Sequence, residues 1–157
     1  MSGTRPVMYA TDFSAASLAA MPHAIRIAKA TGAELIIMHV LPSPVPLAAE
    51  TTYIDQATWD RLFATALAEA HRRLDELVAQ ARATDAHVTG FVVEAGMAVA
   101  AADEIVGAAK DKDVGMLVLG THGRTGIAKF FLGSVAARVV ATAACPVLTV
   151  RAPEPAA

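Results

Sequence analysis

Two kinds of hydrophobic pattern alternate along the chain. Short runs of nearly continuous apolar residues predict buried strands at residues 6–11, 34–42, 87–96, 114–120 and 146–151. Between them, helices are predicted where apolar residues recur at three- and four-residue spacing, at residues 15–31, 55–83, 99–110 and 134–143. The chain is therefore predicted to alternate strands with helices.

Strands that are apolar on both faces need cover on both faces, as in a parallel sheet between two layers of helices. The pattern predicts the α/β class, with one open parallel sheet of five strands and helices on both faces. At 157 residues the chain fits one domain. Its core is expected at residues 5–152, with an irregular proline-rich loop at 42–54 and a disordered tail at 152–157.

The first predicted helix has recognisable ends. Ser14 can cap its start, and Gly32 is suited to end it because glycine readily adopts the left-handed conformation found after many helices. Pro22 lies inside the predicted helix, where it removes a backbone donor. A kink is therefore expected at that proline.

Composition and charge narrow the class of partner. The chain is 55% hydrophobic but only 5% aromatic, and the difference is mostly alanine, which favours closely packed helices over an all-β sandwich. The formal net charge is -2, so no overall basic field exists to attract nucleic acid or anionic lipid. Nucleic acid is not expected as a partner.

The compartment is predicted from what the sequence lacks. Cys145 is the only cysteine, so no intrachain disulfide is possible, and the residue is interpreted as a small buried side chain with no redox role. The first residues do not resemble a signal peptide, and no apolar run approaches the ~18 residues of a membrane span. A cytoplasmic protein without membrane attachment is expected.

Candidate chemistry follows the fourth predicted strand, where residues 119–136 read LGTHGRTGIAKFFLGSVA. Gly120 and Gly123 would allow a sharp turn and a close approach of backbone N–H groups to a ligand. Gly133 and Ser134 stand where the next helix begins. Free N–H groups and the positive end of a helix dipole favour an anion, so a phosphate site is predicted here.

Phosphate contacts alone cannot hold a ligand at this site. The helix dipole contributes at most about 2 kcal/mol, whereas micromolar binding takes roughly 8 kcal/mol. A purine ring against the ends of the first two strands, near Ala10, Asp12 and Val40, would supply the remainder.

The chain has no GxxxxGK[ST] and no GxGxxG after the first strand, which argues against a P-loop and a Rossmann site.

The spacing Gly120-x2-Gly123-x9-Gly133-Ser134 occurs together with YATDFS in the first strand and CPVLTV in the last. In this combination the sequence resembles the universal stress protein family, whose ATP-binding members carry G-x2-G-x9-G-[ST]. The resemblance extends over nearly the whole chain and is weakest at residues 42–60. It implies an adenine nucleotide alpha hydrolase-like fold with strand order 3-2-1-4-5.

The resemblance also implies roles for individual residues. Asp12 and Val40 would line the adenine site and Gly120 would lie near the ribose, while backbone N–H groups and a serine hydroxyl hold the phosphates at Gly123, Gly133 and Ser134. ATP is the implied cofactor, with magnesium held through its phosphates and no protein ligand assigned to the metal. Together with the residues placed near them by the sequence pattern, the complete predicted site is Ala10, Asp12, Val40, Gly120, Thr121, His122, Gly123, Arg124, Gly133, Ser134 and Val135.

A homodimer is implied in the same way. Members of the family commonly pair their last strands, here Val147 to Arg151, and such pairing would cover an exposed sheet edge. One departure concerns the third helix, because residues 96–98 read Gly-Met-Ala where relatives often have a proline. The start of that helix is left open.

Several of these residues also have purely structural interpretations. Gly120 and Gly133 could serve only turns and helix packing. His39, at the end of a buried strand, is interpreted as a hydrogen-bonded core histidine in preference to a ligand. Arg124 could neutralise a phosphate or be a solvated loop charge, and His122 could donate to a phosphate.

Three functions remain open at this point. The leading one is an ATP-binding regulatory protein that signals through a dimer and through a partner protein the sequence does not identify. A slow ATPase or phosphotransferase is second, because phosphoryl transfer needs a metal clamp and a positioned nucleophile, and only Asp12 suggests a metal contact. The third is a dimeric stress scaffold without nucleotide, against which the complete glycine motif argues.

Overall fold

Five parallel strands form one sheet in the computed structural model, which describes residues 3–43, 55–96, 99–121 and 132–153. The order across the sheet is β3-β2-β1-β4-β5, which confirms the predicted order and the α/β class. The strands are β1 (Val7–Ala10), β2 (Leu35–Leu41), β3 (Val88–Glu94), β4 (Met116–Gly120) and β5 (Val147–Val150).

Helices connect each strand to the next in the described part of the chain. They are α1 (Ala15–Leu18), α2 (Met21–Thr31), α3 (Gln56–Arg82), α4 (Ala101–Asp111) and α5 (Ser134–Thr142). Their bounds agree with the predicted segments to within about two residues, apart from the first. None of these described helices combines the length and the apolar character needed to cross a bilayer.

Two hydrophobic clusters lie on opposite faces of the sheet. Alternate residues of β1 illustrate the division, since Val7 and Tyr9 pack with α2 and α3, whereas Met8 and Ala10 pack with α4 and α5. Successive side chains of a strand point to opposite faces, so both sets must be apolar when both faces are covered. This explains the continuous apolar runs.

The prediction of one kinked helix over residues 15–31 is wrong. The chain forms two helices, and the break lies at residues 19–20, ahead of Pro22, which stands in the first turn of α2. A proline is tolerated there because the first N–H groups of a helix have no intrahelical partner. The two predicted ends are correct, because Ser14 caps α1 and Gly32 ends α2 with a φ of 64°.

The long helix α3 is buried along only part of its apolar stripe. Its buried residues all lie in its second half, and they are Ala70, Leu74, Leu77, Val78 and Ala81. In the first half Leu62 is 55% exposed, although it continues the same periodic pattern.

Cys145, interpreted from the sequence as buried, is only partly buried, and desolvation raises the pKa of its thiol.

Gly120 lies where the end of β4 meets α1. A Cβ atom added at this residue would stand 2.7 Å from the carbonyl oxygen of Ala16 and 2.9 Å from the Cα atom of Ser17. Both are backbone atoms, so neither can move without shifting α1. The glycine is therefore required for the close packing of this helix on the sheet.

Replacing Gly120 by alanine should lower the free energy of unfolding by about 1 to 3 kcal/mol, the usual cost of overpacking. Gly107→Ala provides a matched control, because Gly107 lies on the exposed side of α4 and its added Cβ would meet nothing within 4 Å. The control should gain about 0.5 to 1 kcal/mol from helix propensity. Urea unfolding of the two variants measures both changes, and equal stability would contradict the close approach at Gly120.

Tyr9 provides a test of the core. Its hydroxyl donates to the carbonyl oxygen of Ser17 at 2.8 Å, and burial raises its pKa to about 12. Because the unfolded phenol has a pKa of about 10, the stabilisation is complete below pH 10 and is lost as the pH rises toward 12. Between these values Tyr9 should remove up to about 1.4 kcal/mol of stability per pH unit.

The control variant is Tyr9→Phe, which cannot ionise. At pH 8 it should be less stable than the wild type by about 1 kcal/mol, the contribution of one hydrogen bond. Above pH 10 this difference should shrink, since only the wild type loses stability through Tyr9. Urea unfolding of both proteins from pH 8 to pH 12 measures the difference, and a constant difference would contradict the raised pKa.

Candidate functional site

A cleft opens at the carboxyl ends of β1, β2 and β4, between α4 and α5. Its volume is about 330 Å³, and most of its lining side chains are apolar. The chain places β2 on one side of β1 and later places β4 on the other side, so the strand order reverses between β1 and β4. The cleft lies at this reversal, which is the place where open α/β sheets bind ligands. The cleft therefore lies in the region where the strand pattern predicted a site.

The structure brings together every predicted site residue that it describes. These residues line the one cleft: Ala10, Asp12, Val40, Gly120, Thr121, Gly133, Ser134 and Val135. The remaining three, His122, Gly123 and Arg124, lie outside the described residues. Strand ends and a helix start that are far apart in sequence thus form one continuous wall.

Sequence reasoning missed the contribution of α4. Ala101 and Ile105 lie one helical turn apart and line the cleft opposite the strand ends. Their spacing places them on one face of the helix, but a periodic pattern does not show which turn of that face reaches a ligand site. Other residues missed in the cleft wall are Ser17, Pro42, Leu119 and Ala136.

A network of short hydrogen bonds holds the end of β1 against α1. Oδ1 of Asp12 accepts two hydrogen bonds from Ser14, one from its backbone N–H at 3.0 Å and one from the Ser14 hydroxyl at 2.5 Å. The Thr11 hydroxyl accepts from the N–H of Phe13 at 3.0 Å and is 2.9 Å from the hydroxyl of Ser17. These bonds hold Phe13 at a φ of 63°, which is strained for a bulky residue, and orient the Asp12 carboxylate on the cleft wall.

His39 is a core residue that also lines the cleft. It is 3% exposed, and its Nδ1 lies 2.8 Å from the carbonyl oxygen of Thr11. A carbonyl can only accept, so Nδ1 must carry a proton. The ring also stacks on Phe13, with the two centroids 4.3 Å apart. The structural interpretation of His39 is correct, but the residue belongs to the cleft wall as well.

The amino terminus of α5 forms the opposite end of the cleft. Gly133 is its N-cap residue, and the first-turn residues Ser134, Val135 and Ala136 line the cleft. The N–H groups of a first turn have no partner within the helix, and a glycine has no side chain to accept from them. The first turn also carries no acidic residue. Within the described residues, the positive end of the helix dipole is therefore uncompensated at the cleft.

One implied phosphate contact needs correction. The N–H of Gly133 donates to the carbonyl oxygen of Thr121 at 2.7 Å, so it is already engaged and cannot hold a phosphate as the family resemblance implied. Its φ of -60° and ψ of 157° are extended values that any residue adopts, so the backbone does not require glycine here. What the glycine provides is the absence of a side chain at the helix start.

An ion pair links the two helices that flank the cleft. Arg138 of α5 donates through two nitrogens to the two carboxylate oxygens of Asp103 in α4, each at 2.8 Å. Both side chains are largely exposed, so the pair contributes little to stability. Among the described residues, no group of three or more His, Cys, Asp or Glu side chains is placed to hold a metal ion.

Comparisons with known proteins agree with this fold. The model of the universal stress protein family matches residues 3–151. The universal stress protein MJ0531 of Methanocaldococcus jannaschii is 34% identical over 152 residues, which are 96% of this chain and 84% of that protein.

Solved structures give the same result. The hypothetical protein MJ0577 superposes with a TM-score of 0.81 at 23% identity, covering 96% of this chain and 98% of that one. A universal stress protein in complex with cAMP superposes with a TM-score of 0.59 at 30% identity, covering 97% of this chain and all of that one. With the family model spanning nearly the full sequence and the fold shared throughout, this chain belongs to the universal stress protein family.

Proposed function

We propose that the protein binds an adenine nucleotide in this cleft and acts in the cytoplasm as a regulatory protein that responds to the nucleotide. One observation carries the proposal: an apolar cleft of about 330 Å³ ends at the uncapped amino terminus of α5. An apolar wall and first-turn N–H groups without a partner among the described residues match the two halves of a nucleotide. The structure of a family member with cAMP, 30% identical to this chain, supports this choice of ligand.

The base would occupy the part of the cleft between the strand ends and α4. Ala10 and Val40 provide apolar contact from the sheet, and Ile105 provides it from the opposite side. The Asp12 carboxylate, held by its bonds to Ser14, is placed to accept a hydrogen bond from an amino or hydroxyl group. Excluding water from both faces of the ring supplies the binding energy that phosphate contacts lack.

The phosphate would lie against the first turn of α5. The N–H groups of Ser134, Val135 and Ala136 and the Ser134 hydroxyl are the donors on this side. We extend the proposal to ATP with magnesium, whose further phosphates would reach toward His122, Gly123 and Arg124 in the glycine-rich segment. The metal would be held through the phosphates.

The first experiment identifies the ligand. The protein is purified without added nucleotide and denatured, and any released small molecule is identified by mass. Isothermal titration with AMP, cAMP, ATP and ATP with magnesium then ranks the affinities, while ADP formation is followed in parallel. Bound nucleotide without turnover is expected. Steady ADP formation would instead indicate an ATPase, and the absence of any bound or bindable nucleotide would leave a scaffold.

Substitution of Gly133 separates binding from folding. In Gly133→Asp the new carboxylate should accept from the first-turn N–H groups of α5, which is favourable for the helix. The same charge would occupy and repel the phosphate position. AMP affinity should therefore fall at least about tenfold, a loss of about 1.4 kcal/mol, while the melting temperature is unchanged or higher.

Gly133→Asn is the matched control, because it can cap the helix without adding charge. It should weaken AMP binding less than the aspartate does, and the gap between the two variants should narrow at high salt. Calorimetry measures affinity, and thermal unfolding verifies the fold. If folded Gly133→Asp bound AMP as tightly as the wild type, the phosphate assignment at α5 would be wrong.

We further propose that two copies pair through β5, within Val147 to Arg151. In the described part of the chain β5 bonds to β4 on one side only, and its residues are half-buried. The carbonyl oxygen of Pro146 accepts from the N–H of Leu117 in β4, and that of Val150 accepts from the N–H of Thr121 just after β4, at 2.9 Å each. Because backbone groups of a strand alternate in direction, those of Val147, Thr149 and Arg151 point to the open edge. An apolar strand with an open row of donors and acceptors favours pairing with a second copy.

Thr149→Pro tests this pairing without breaking the bonds to β4, because the lost N–H points to the open edge. The variant should shift a dimer to a monomer in light scattering coupled to size exclusion. Thr149→Val keeps the N–H and the β-branched shape, so it should remain dimeric. A Thr149→Pro protein that stays fully dimeric would show that the copies associate elsewhere.

A further inference from the structure

A second cavity lies on the face of the sheet opposite the cleft. It has a volume of about 640 Å³ and runs between α2 and α3. We call it the α2–α3 groove. Its apolar lining is formed by Leu18, Met21, Pro22, Ile25 and Leu77, and its polar lining by Arg73, Glu76, Gln80 and Thr84, with Phe13 at the Arg73 end.

Arg73 is the one positively charged residue among the described residues that line the groove. Its guanidinium stacks 4.5 Å from the centroid of the Phe13 ring and donates through Nη2 to the Phe13 carbonyl oxygen at 3.3 Å. No carboxylate within the described ranges lies at ion-pair distance from it. The Arg73 guanidinium has five N–H donors, so most of its hydrogen-bonding capacity remains for a ligand.

The acidic residues nearby are bonded to a different arginine. Glu76, which also lines the groove, accepts from Nη1 of Arg72 at 2.5 Å, and Glu69 accepts from Nη2 of the same arginine at 2.7 Å. Arg72 thus offsets one of their two negative charges. The groove has an apolar floor with the Arg73 guanidinium near one end, and the Glu76 carboxylate in its lining is engaged by Arg72.

We propose that the α2–α3 groove binds an amphiphile with a single carboxylate and an unbranched apolar chain, as in a medium-chain fatty acid. The ligand carboxylate would pair with the guanidinium of Arg73, and the alkyl chain of the ligand would lie along Ile25 and Leu77. From Arg73 to Gln80 the helix rises about 10 Å, which is the length of a chain of roughly eight to ten carbons. This site is independent of the nucleotide proposal, since it lies on the other face of the sheet.

The probe is decanoate, titrated by calorimetry into the full-length protein below its micelle concentration, with and without saturating AMP. Decanoate should bind in both cases, and decanol should bind at least about tenfold more weakly because it lacks the charge. Octanoate has two methylenes fewer than decanoate and should bind about fifteenfold more weakly, since each methylene contributes about fourfold. Displacement of decanoate by AMP, or no binding of decanoate at all, would overturn the proposal.

Two variants locate the binding to the groove. Arg73→Gln should weaken decanoate binding at least about tenfold, whereas Arg61→Gln, on the exposed surface of the same helix, should bind as the wild type does. Ile25→Glu places a carboxylate in the groove and should abolish decanoate binding while Arg73 itself is unchanged. Urea unfolding verifies that each variant folds. Unchanged affinity in folded Arg73→Gln or folded Ile25→Glu would overturn the proposal.

Discussion

β1 has no exposed side, and this constraint determines where everything else lies. Its four residues are buried, and the strand is bonded to β2 along one edge and to β4 along the other. The chain first builds outward through β2 and β3 and then returns across β1 to add β4 and β5. Right-handed crossovers in opposite directions place α2 and α3 on one face and α4 and α5 on the other. The cleft is the gap that this reversal leaves at the strand ends.

Much of this arrangement could be predicted because burial on both faces leaves a simple pattern in the sequence. Continuous apolar runs predicted the five strands, and Ser14 and Gly32 marked helix ends with a known geometry. The division at residues 19–20 was not predictable from Pro22, because a proline suits either a kink or a helix start. Periodicity likewise could not show that Leu62 is exposed, since it identifies an apolar face without identifying what covers it.

The candidate site was predictable to a different extent at each of its ends. Strand ends such as Ala10, Asp12 and Val40 follow directly from the sheet, because parallel strands finish at a common edge. Ala101 and Ile105 depend on how α4 crosses the sheet, which the sequence does not encode locally. The glycines show the same limit, because Gly120 serves the approach of α1 and Gly133 serves a bare helix start. Spacing alone does not separate these two uses.

The bare start of α5 has a consequence for the amount of protein in a cell. A ligand that binds only the folded chain stabilises it by RT ln(1 + [L]/Kd), about 2.7 kcal/mol when the ligand is at one hundred times its dissociation constant. Stability differences of 1 to 2 kcal/mol change the abundance of a protein several-fold, because unfolded chains are degraded. Under the proposed binding of a nucleotide at the start of α5, scarcity of that nucleotide would shorten the lifetime of the protein, and the abundance of the protein would follow the concentration of the nucleotide.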